Sequence, residues 1–357
     1  ILPMNDHTSE LNDLIRISRY AGMREDYVQS SGGNTSVKLP DGTMLIKGLG
    51  IQLADVSETF GWAHMRCDVF LEHFLSSAEP GCGAREEAAL QERAFLSGCR
   101  PAIETYFHAL TGPVTLHTHP TLVNVLTARK GGMQTLRTLF PDAYFADYAP
   151  PGLPLGVAVW RALKSAFQPG GHGVNGVIFL KNHGVIVSGD TADEVISLHE
   201  HVMAVITAAL GCDSRADDLA TALYTALERA GMAQKIVLRA TNATVLRNLR
   251  YLEQSYVFCP DALVFCGWSA LRLDEADPCP QLTRYAAEHG VPELLLWRDQ
   301  LYVTADSVKK AKEIESVAAF CTEVLRLNGG YEMDLLSADD CAYLSDCESE
   351  KYRKTMQ

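Results

Sequence analysis

Apolar positions fall into two periods along the chain, and the switches between them mark its elements. Leu11, Leu14, Ile15 and Ser18 recur at helical spacing behind Thr8 and Ser9, either of which can cap a helix. A run of small residues, Ser30 to Ser36, leads into Val37-Lys38. Asp41-Gly42 then separates that strand from Met44-Leu45-Ile46-Lys47, the pattern of a β-hairpin. Glu86 to Leu96 reads as a helix ending near Gly98. Past Gly112 the period becomes two, and Val114 to His119 alternates as a strand until Pro120 stops it. Val177-Ile178-Phe179-Leu180 and Val185-Ile186-Val187 are short apolar runs joined by Lys181-Asn182-His183-Gly184, a second hairpin with His183 by its turn. Thr191 to Leu210 is the clearest helix. Its stripe is Val195, Ile196, Val202, Met203, Val205 and Ile206, and Gly211 closes it.

The remaining chain reads as a second, smaller α/β unit. Pro260 to Phe265 has the composition of a strand, and Leu301-Tyr302-Val303 is followed by a helix from Ser307 to Leu327. The segment from His183 to Ala192 aligns with Asp299 to Val308 at an offset of 116, which suggests a degenerate partial repeat with Asp299 where His183 stood. The expected organisation is a larger domain over 1–225, a smaller one over 226–336 and a polar tail over 337–357.

Composition narrows the classes. The chain has 357 residues, 47% of them hydrophobic, enough for about two packed domains and too apolar for a disordered chain. The formal charge, 31 − 44 = −13, opposes a broad grip on nucleic acid. No apolar run is long enough to span a membrane, and Ile1 to Glu10 lacks the pattern of a signal peptide. Ten cysteines without a CxxC pair read as reduced thiols packed as small hydrophobes in a cytoplasmic protein.

Candidate chemistry centres on His117-Thr118-His119. Residues two apart in a strand point the same way, so both imidazoles can face one metal ion. A second pair, His199 and His201, serves as a control. It lies in a helix, where positions two apart diverge by about 200°, so packing or surface roles suit it better. His183 sits at an apolar hairpin, a poor place for a polar ring without a task. Glu104 precedes the first pair by thirteen residues, and Ser31-Gly32-Gly33-Asn34 can offer backbone N–H groups to an anion. Taken singly, such a loop is commonly a turn and such a glutamate commonly faces solvent.

Taken in order, Ser31-Gly-Gly-Asn-Thr-Ser-Val-Lys38, Arg100-Pro-Ala-Ile-Glu104 with His108, Leu116-His-Thr-His-Pro120 and Lys181-Asn-His-Gly184 resemble the class II aldolase/adducin family. That family includes fuculose- and rhamnulose-phosphate aldolases and ribulose-phosphate 4-epimerase. The likeness covers roughly residues 5 to 215. The first motif is most similar to the aldolase part of bacterial rhamnulose-phosphate aldolase/dehydrogenase fusions. No GxGxxG follows a strand, so no dehydrogenase half is expected within this chain.

The resemblance implies a three-layer α/β/α domain with a central, mainly antiparallel sheet. It implies that His117, His119 and His183 bind Zn²⁺ or another divalent metal such as Mn²⁺, Co²⁺ or Fe²⁺, with positions left open for substrate. It places the acid/base carboxylate at Glu104, and Tyr148 is the nearest candidate for the tyrosine that assists the aldehyde half. The implied reaction is retro-aldol cleavage of a hydroxy-ketone sugar or sugar phosphate through a metal-stabilised enediolate. A sugar-phosphate 4-epimerase or decarboxylase on the same centre, or a non-catalytic adducin-like binding module, are the other readings. A homo-oligomer, in this family commonly a tetramer, is also implied.

The match departs where the family's hydroxyl residues hold phosphate. Leu49 and Ile51 stand where Ser and Thr are expected, and Ala102-Ile103 precede Glu104 without a hydroxyl. Gly33, Asn34, Lys47 and Gly48 remain as anion contacts, so the substrate is a different phosphate, a carboxylate or an unphosphorylated sugar. Lys38 and Lys181 are weaker candidates of the same kind.

Overall fold

The computed structural model describes residues 8–346 apart from 78, 213–214, 233–234 and 254–255. The chain forms two compact units, 1–214 and 215–357. In the first, α1 (Thr8–Gly22) leads to β1 (Asn34–Lys38), β2 (Thr43–Lys47), β3 (Trp62–Arg66), α2 (Cys67–Leu75), α3 (Ala84–Ala94), β4 (Phe95–Gly98) and the single turn α4 (Thr105–His108). Then come β5 (Val114–Thr118), α5 (Thr121–Ala128), α6 (Gly132–Leu139), β6 (Tyr144–Ala146), α7 (Leu153–Leu163), β7 (Gly176–Leu180), β8 (Gly184–Gly189) and α8 (Ala192–Leu210).

One eight-stranded sheet, in the order β4-β3-β2-β1-β5-β8-β7-β6, is antiparallel throughout except between β6 and β7. Successive strand residues face opposite sides, and both sides are apolar. Leu45, Val185 and Val187 pack with α1, α5, α6 and α8. Met44, Ile46 and Ile186 pack with α2, α3, α4 and α7. The expected three-layer α/β/α domain with a mainly antiparallel sheet is therefore the fold of this unit. Its first hairpin turns at Gly42 (φ 84°), where Thr43 donates from both its N–H and its hydroxyl to Asp41.

In the second unit, α9 (Arg215–Arg229), β9 (Ile236–Arg239), α10 (Ala243–Arg247) and α11 (Pro260–Cys266) precede β10 (Leu271–Leu273), α12 (Cys279–His289), β11 (Leu294–Trp297), β12 (Gln300–Ala305), α13 (Val308–Asn328) and α14 (Ala338–Asp346). Four strands form a sheet in the order β10-β11-β12-β9, with only the β10–β11 pair parallel.

Several expectations are revised. The unit boundary precedes α9 rather than cutting it at 225. Pro260 to Phe265 is helix α11, because Pro260 occupies the first turn, where its missing N–H costs nothing, and a short apolar run fits either state. The helix expected over 86–96 ends at Ala94, and Phe95–Gly98 pairs with β3 as an edge strand. Within the expected polar tail, 338–346 forms α14 and Cys341 is buried against the second core. Residues 347–357 of that tail, Cys347 among them, lie outside the described residues, as does His7. The nine described cysteines are free thiols. Four are buried as expected, while Cys82 and Cys212 are exposed. Among the described residues no helix is long and apolar enough to cross a membrane.

Candidate metal centre

β5 carries His117 to the middle of the sheet, and His119 follows where the strand ends. β8 pairs antiparallel with β5, placing Ile186 opposite His117 and bringing the preceding hairpin turn to the same end. That turn holds His183. Asn182 adopts a left-handed conformation (φ 57°) and its N–H bonds to the Thr127 carbonyl. Gly184 follows, where a Cβ would lie 2.2 Å from the Thr118 carbonyl oxygen, so only glycine lets the turn approach β5 this closely. Glu104 enters from the other direction as the residue preceding α4, and is 4% exposed.

The four side chains converge. One ligating atom from each of Glu104, His117, His119 and His183 lies within 4.8 Å of the others. His117 Nε2 is 3.0 Å from His119 Nε2 and 3.3 Å from His183 Nε2. Glu104 Oε2 is 3.2 Å from His117 Nε2, and Oε1 is 3.0 Å from His183 Nε2. His117 Nδ1 lies 3.0 Å from the Val185 carbonyl, which can only accept, so this nitrogen carries the proton and Nε2 faces the cluster.

This donor set fits a divalent cation. A tetrahedral ion bound at roughly 2.0–2.1 Å spaces its ligands by about 3.3–3.4 Å, close to the separations between these nitrogens. Burial, reinforced by His117 and His183, pushes the His119 imidazole down to about 3, so it stays neutral with a lone pair to offer. Burial alone would raise the Glu104 carboxyl. His117 and then His183 outweigh it and hold the group well below the usual carboxylate range.

The residues expected to hold an anion do other work. Asn34 donates from Nδ2 to Glu104 Oε2 at 2.9 Å. The Lys47 ammonium is buried and donates to the Ser31 and Gly33 carbonyls at 2.6 and 3.0 Å, fastening the glycine loop to β2. Its burial lowers the amine to about 8. The Gly48 N–H is taken by the Gly61 carbonyl. Gly33 has φ 68°, and a Cβ there would stand 2.7 Å from the His117 carbonyl oxygen. A Cβ on Gly32 would stand 3.0 Å from His119 Nδ1. These glycines therefore serve close approach to His117 and His119. Lys38 donates to the Ala109, Thr111 and His172 carbonyls. Leu49 and Ile103, which replace the expected hydroxyl residues, are exposed. Tyr148 lies on the loop between β6 and α7, 60% exposed, and among the described residues no hydrogen bond ties it to the cluster.

The control pair splits. His201 is exposed, but His199 is wholly buried between Tyr20 and Thr118. Tyr20 gives its only proton to Glu200, so His199 Nδ1 donates to Tyr20 and its Nε2 accepts from Thr118. Tyr27 also donates to Glu200. Thr118 stands between two of the clustered histidines, so this network braces the strand from behind. Its partners are about 80 and 180 residues apart in sequence, and nothing local in the sequence signals them. His108, four residues after Glu104, is wholly buried and touches Asn34 and Ser36.

A family model described as Class II Aldolase and Adducin N-terminal domain matches residues 12–210. Among curated proteins nothing matches. Similar solved structures include the N-terminal class II aldolase domain of a conserved protein from Thermoplasma acidophilum, 22% identical over 57% of this chain and 94% of that one, with a TM-score of 0.48. YgbL from Klebsiella pneumoniae, described as a putative aldolase/epimerase/decarboxylase, is 17% identical over 58% and 92%, with a TM-score of 0.43. An L-fuculose 1-phosphate aldolase is 17% identical over 59% and 94%, with a TM-score of 0.41.

Proposed function

The chain belongs, through residues 12–210, to the class II aldolase and adducin family, and from that membership we propose that it is a divalent-metal-dependent lyase cleaving a C–C bond of a hydroxy-ketone sugar or sugar phosphate. The observation that carries this reading is the convergence of Glu104, His117, His119 and His183. His117, His119 and His183 would hold the ion through neutral imidazoles. A divalent cation held there supplies positive charge for the oxyanion that develops as a bond beside a carbonyl breaks.

The chain's own residues supply the rest. Glu104 is ionised and buried, with one oxygen held by Asn34, so it can take a proton from a substrate hydroxyl and return it to carbon. The His117 ring is fixed by the Val185 carbonyl, and this limits reorganisation when charge appears. Zinc as the native ion, assembly into a homo-oligomer and a cytoplasmic setting belong to the same proposal.

The test is a panel of ketose phosphates, unphosphorylated ketoses and sugar acids mixed with the Zn²⁺-loaded protein. Released aldehyde supports the lyase. Inverted stereochemistry without aldehyde replaces it with an epimerase, and released CO₂ with a decarboxylase. A purified protein with no high-affinity metal site identifies a binding module. On a substrate so found, Glu104→Gln is expected to keep the metal and lose about 100- to 10,000-fold in turnover. Unchanged turnover removes Glu104 as the base.

A further inference from the structure

We propose that Ser36, His108 and Asn34 form a fixed hydrogen-bond relay that positions the Glu104 carboxylate, anchoring Oε2 and leaving Oε1 as the oxygen that exchanges a proton. The proposal rests on the reading of Glu104 as the base.

The backbone sets the relay up. Asn34 and Ser36 are two apart in β1, so their side chains share a face, and the register places Asn34 beside His117. Glu104 and His108 are four apart across the single turn of α4, so they too share a face. The one-turn helix thus lays a carboxylate and an imidazole against an amide and a hydroxyl. His108 Nδ1 is 2.7 Å from Ser36 Oγ, His108 Nε2 is 2.5 Å from Asn34 Oδ1, and Asn34 Nδ2 is 2.9 Å from Glu104 Oε2. Ser36, His108 and Asn34 are 1%, 0% and 3% exposed, so water offers no substitute partners.

Only one proton arrangement satisfies the chain. An ionised Glu104 only accepts, so Asn34 must present its NH₂ there and its carbonyl to His108. A carbonyl also only accepts, so His108 Nε2 carries the proton. Nδ1 then has a lone pair, and the Ser36 hydroxyl donates to it. Every donor points toward Glu104. A flipped Asn34 would set two acceptors against each other at the carboxylate and leave His108 with the wrong tautomer, both in a site closed to water. Burial keeps His108 neutral, pushed down to about 3, so the tautomer does not change through the neutral range. Ser36, His108 and Asn34 are positioning residues. They reach the chemistry through Glu104.

The test begins on metal-free protein. Two-bond ¹⁵N–¹H correlation of the histidine side chains, with His108 assigned by its loss in His108→Gln, is expected to show a neutral ring protonated at Nε2. A ring protonated at Nδ1, or a charged one, overturns the relay whether or not the protein binds metal. The second arm uses Co²⁺ as the probe. Glu104→Gln is expected to shift the visible Co²⁺ bands, and His108→Leu to shift them the same way. His108→Gln, whose amide nitrogen can replace the Nε2–H donor, is expected to keep the wild-type bands. If His108→Leu does not fold, Asn34→Asp breaks the same chain at nearly constant volume and is expected to show the Glu104→Gln shift. Wild-type bands in His108→Leu or Asn34→Asp overturn the positioning role. Failure of the wild-type protein to take up Co²⁺ overturns the metal reading instead and leaves the NMR arm to decide the relay.

Discussion

Set β5 to β8 and α8 of the first unit beside β9 to β12 and α13 of the second, and the same chain path appears twice. In each, a strand is followed by helices, a short strand, a helix, an antiparallel hairpin and a long closing helix. The pairings agree in order and sense: β5-β8-β7-β6 in one and β9-β12-β11-β10 in the other, with only the last pair parallel in each. At the offset of 116, Val195, His199, Val202, Met203 and Ile206 of α8 correspond to Ala311, Glu315, Ala318, Ala319 and Thr322 of α13, and all ten are buried. The register that sets His117 opposite Ile186 sets Arg239 opposite Tyr302. His183 corresponds to Asp299, and three residues join β7 to β8 where two join β11 to β12. The second unit has the same chain path without the imidazoles. It also has no counterpart to β1–β4 or to Glu104 among its described strands. The comparison teaches that the same sheet and closing helix form with the clustered side chains and without them, so the fold does not depend on the residues to which the proposed chemistry is assigned.

The sharpest way to break the comparison is to make the first hairpin as inert as the second. His183→Ala is expected to lower Zn²⁺ or Co²⁺ affinity by more than about 100-fold, since a direct ligand should cost at least as much as a second-sphere partner. Calorimetric titration of metal into both proteins checks this. Unaltered affinity would mean that the hairpin residue is as idle in the first unit as in the second.

A smaller effect should come from the tethers behind the strands. Both units pin the end of the first strand with a buried polar residue at the same helix position. His199 accepts from Thr118, while Glu315 accepts from the backbone N–H groups of Thr241 and Asn242. Thr118→Val is expected to cost about 1–3 kcal/mol of stability by leaving His199 Nε2 unpaired, and to weaken metal binding about 10- to 100-fold. Glu315→Ala is expected to cost a similar amount of stability and nothing in metal affinity. Equal effects of both changes on metal binding would show that the tether does not act locally.

Acid should separate the units further. His108 and His199 are held neutral, each pushed down to about 3 from 6.5, chiefly by burial. Between those values the unfolded chain binds protons that the folded chain refuses. Stability from these groups is therefore full above about pH 6.5 and is lost as pH falls toward 3. The second unit's one histidine, His289, is exposed. Hydrogen exchange at stepped pH is expected to show α8 amides losing protection between pH 6 and 4 before α13 amides do. Simultaneous loss would assign acid sensitivity to carboxylates common to both units.

How much of this contrast could be read from the sequence follows from the range of the forces involved. The pairing of His117 with His119 and the turn position of His183 were legible because strand period and a hairpin turn act locally, while their grouping around one ion was implied only by the family resemblance. The central, mainly antiparallel sheet came only with the family resemblance, and its strand order was not legible at all, since pairing β5 between β1 and β8 depends on contacts distant in sequence. Lys47 and Gly48 read as anion contacts because a lysine and a glycine at a strand end carry no mark of the Ser31, Gly33 and Gly61 carbonyls they meet. His199 read as a packing or surface residue for the same reason: its partners Tyr20 and Thr118 arrive only with the tertiary fold.

The finest distinction lies at the start of the two long helices, where the units should behave alike. Thr191 caps α8 by accepting from the Glu194 N–H, and Ser307 caps α13 by accepting from the Lys310 N–H, each at 3.2 Å. Both helices end on a left-handed glycine, Gly211 at φ 65° and Gly329 at φ 68°. The first-turn charges differ, with Asp193 and Glu194 in α8 and none acidic in α13. Acidic groups near a helix N-terminus interact favourably with its dipole, so α8 keeps partial compensation when its cap is lost. Thr191→Ala and Ser307→Ala are each expected to cost about 0.5–2 kcal/mol, with the α13 variant at the upper end. Amide exchange in the first turn of each helix reads the two losses separately. A cap that costs nothing in α13 but something in α8 would show that the two closing helices are not held in the same way.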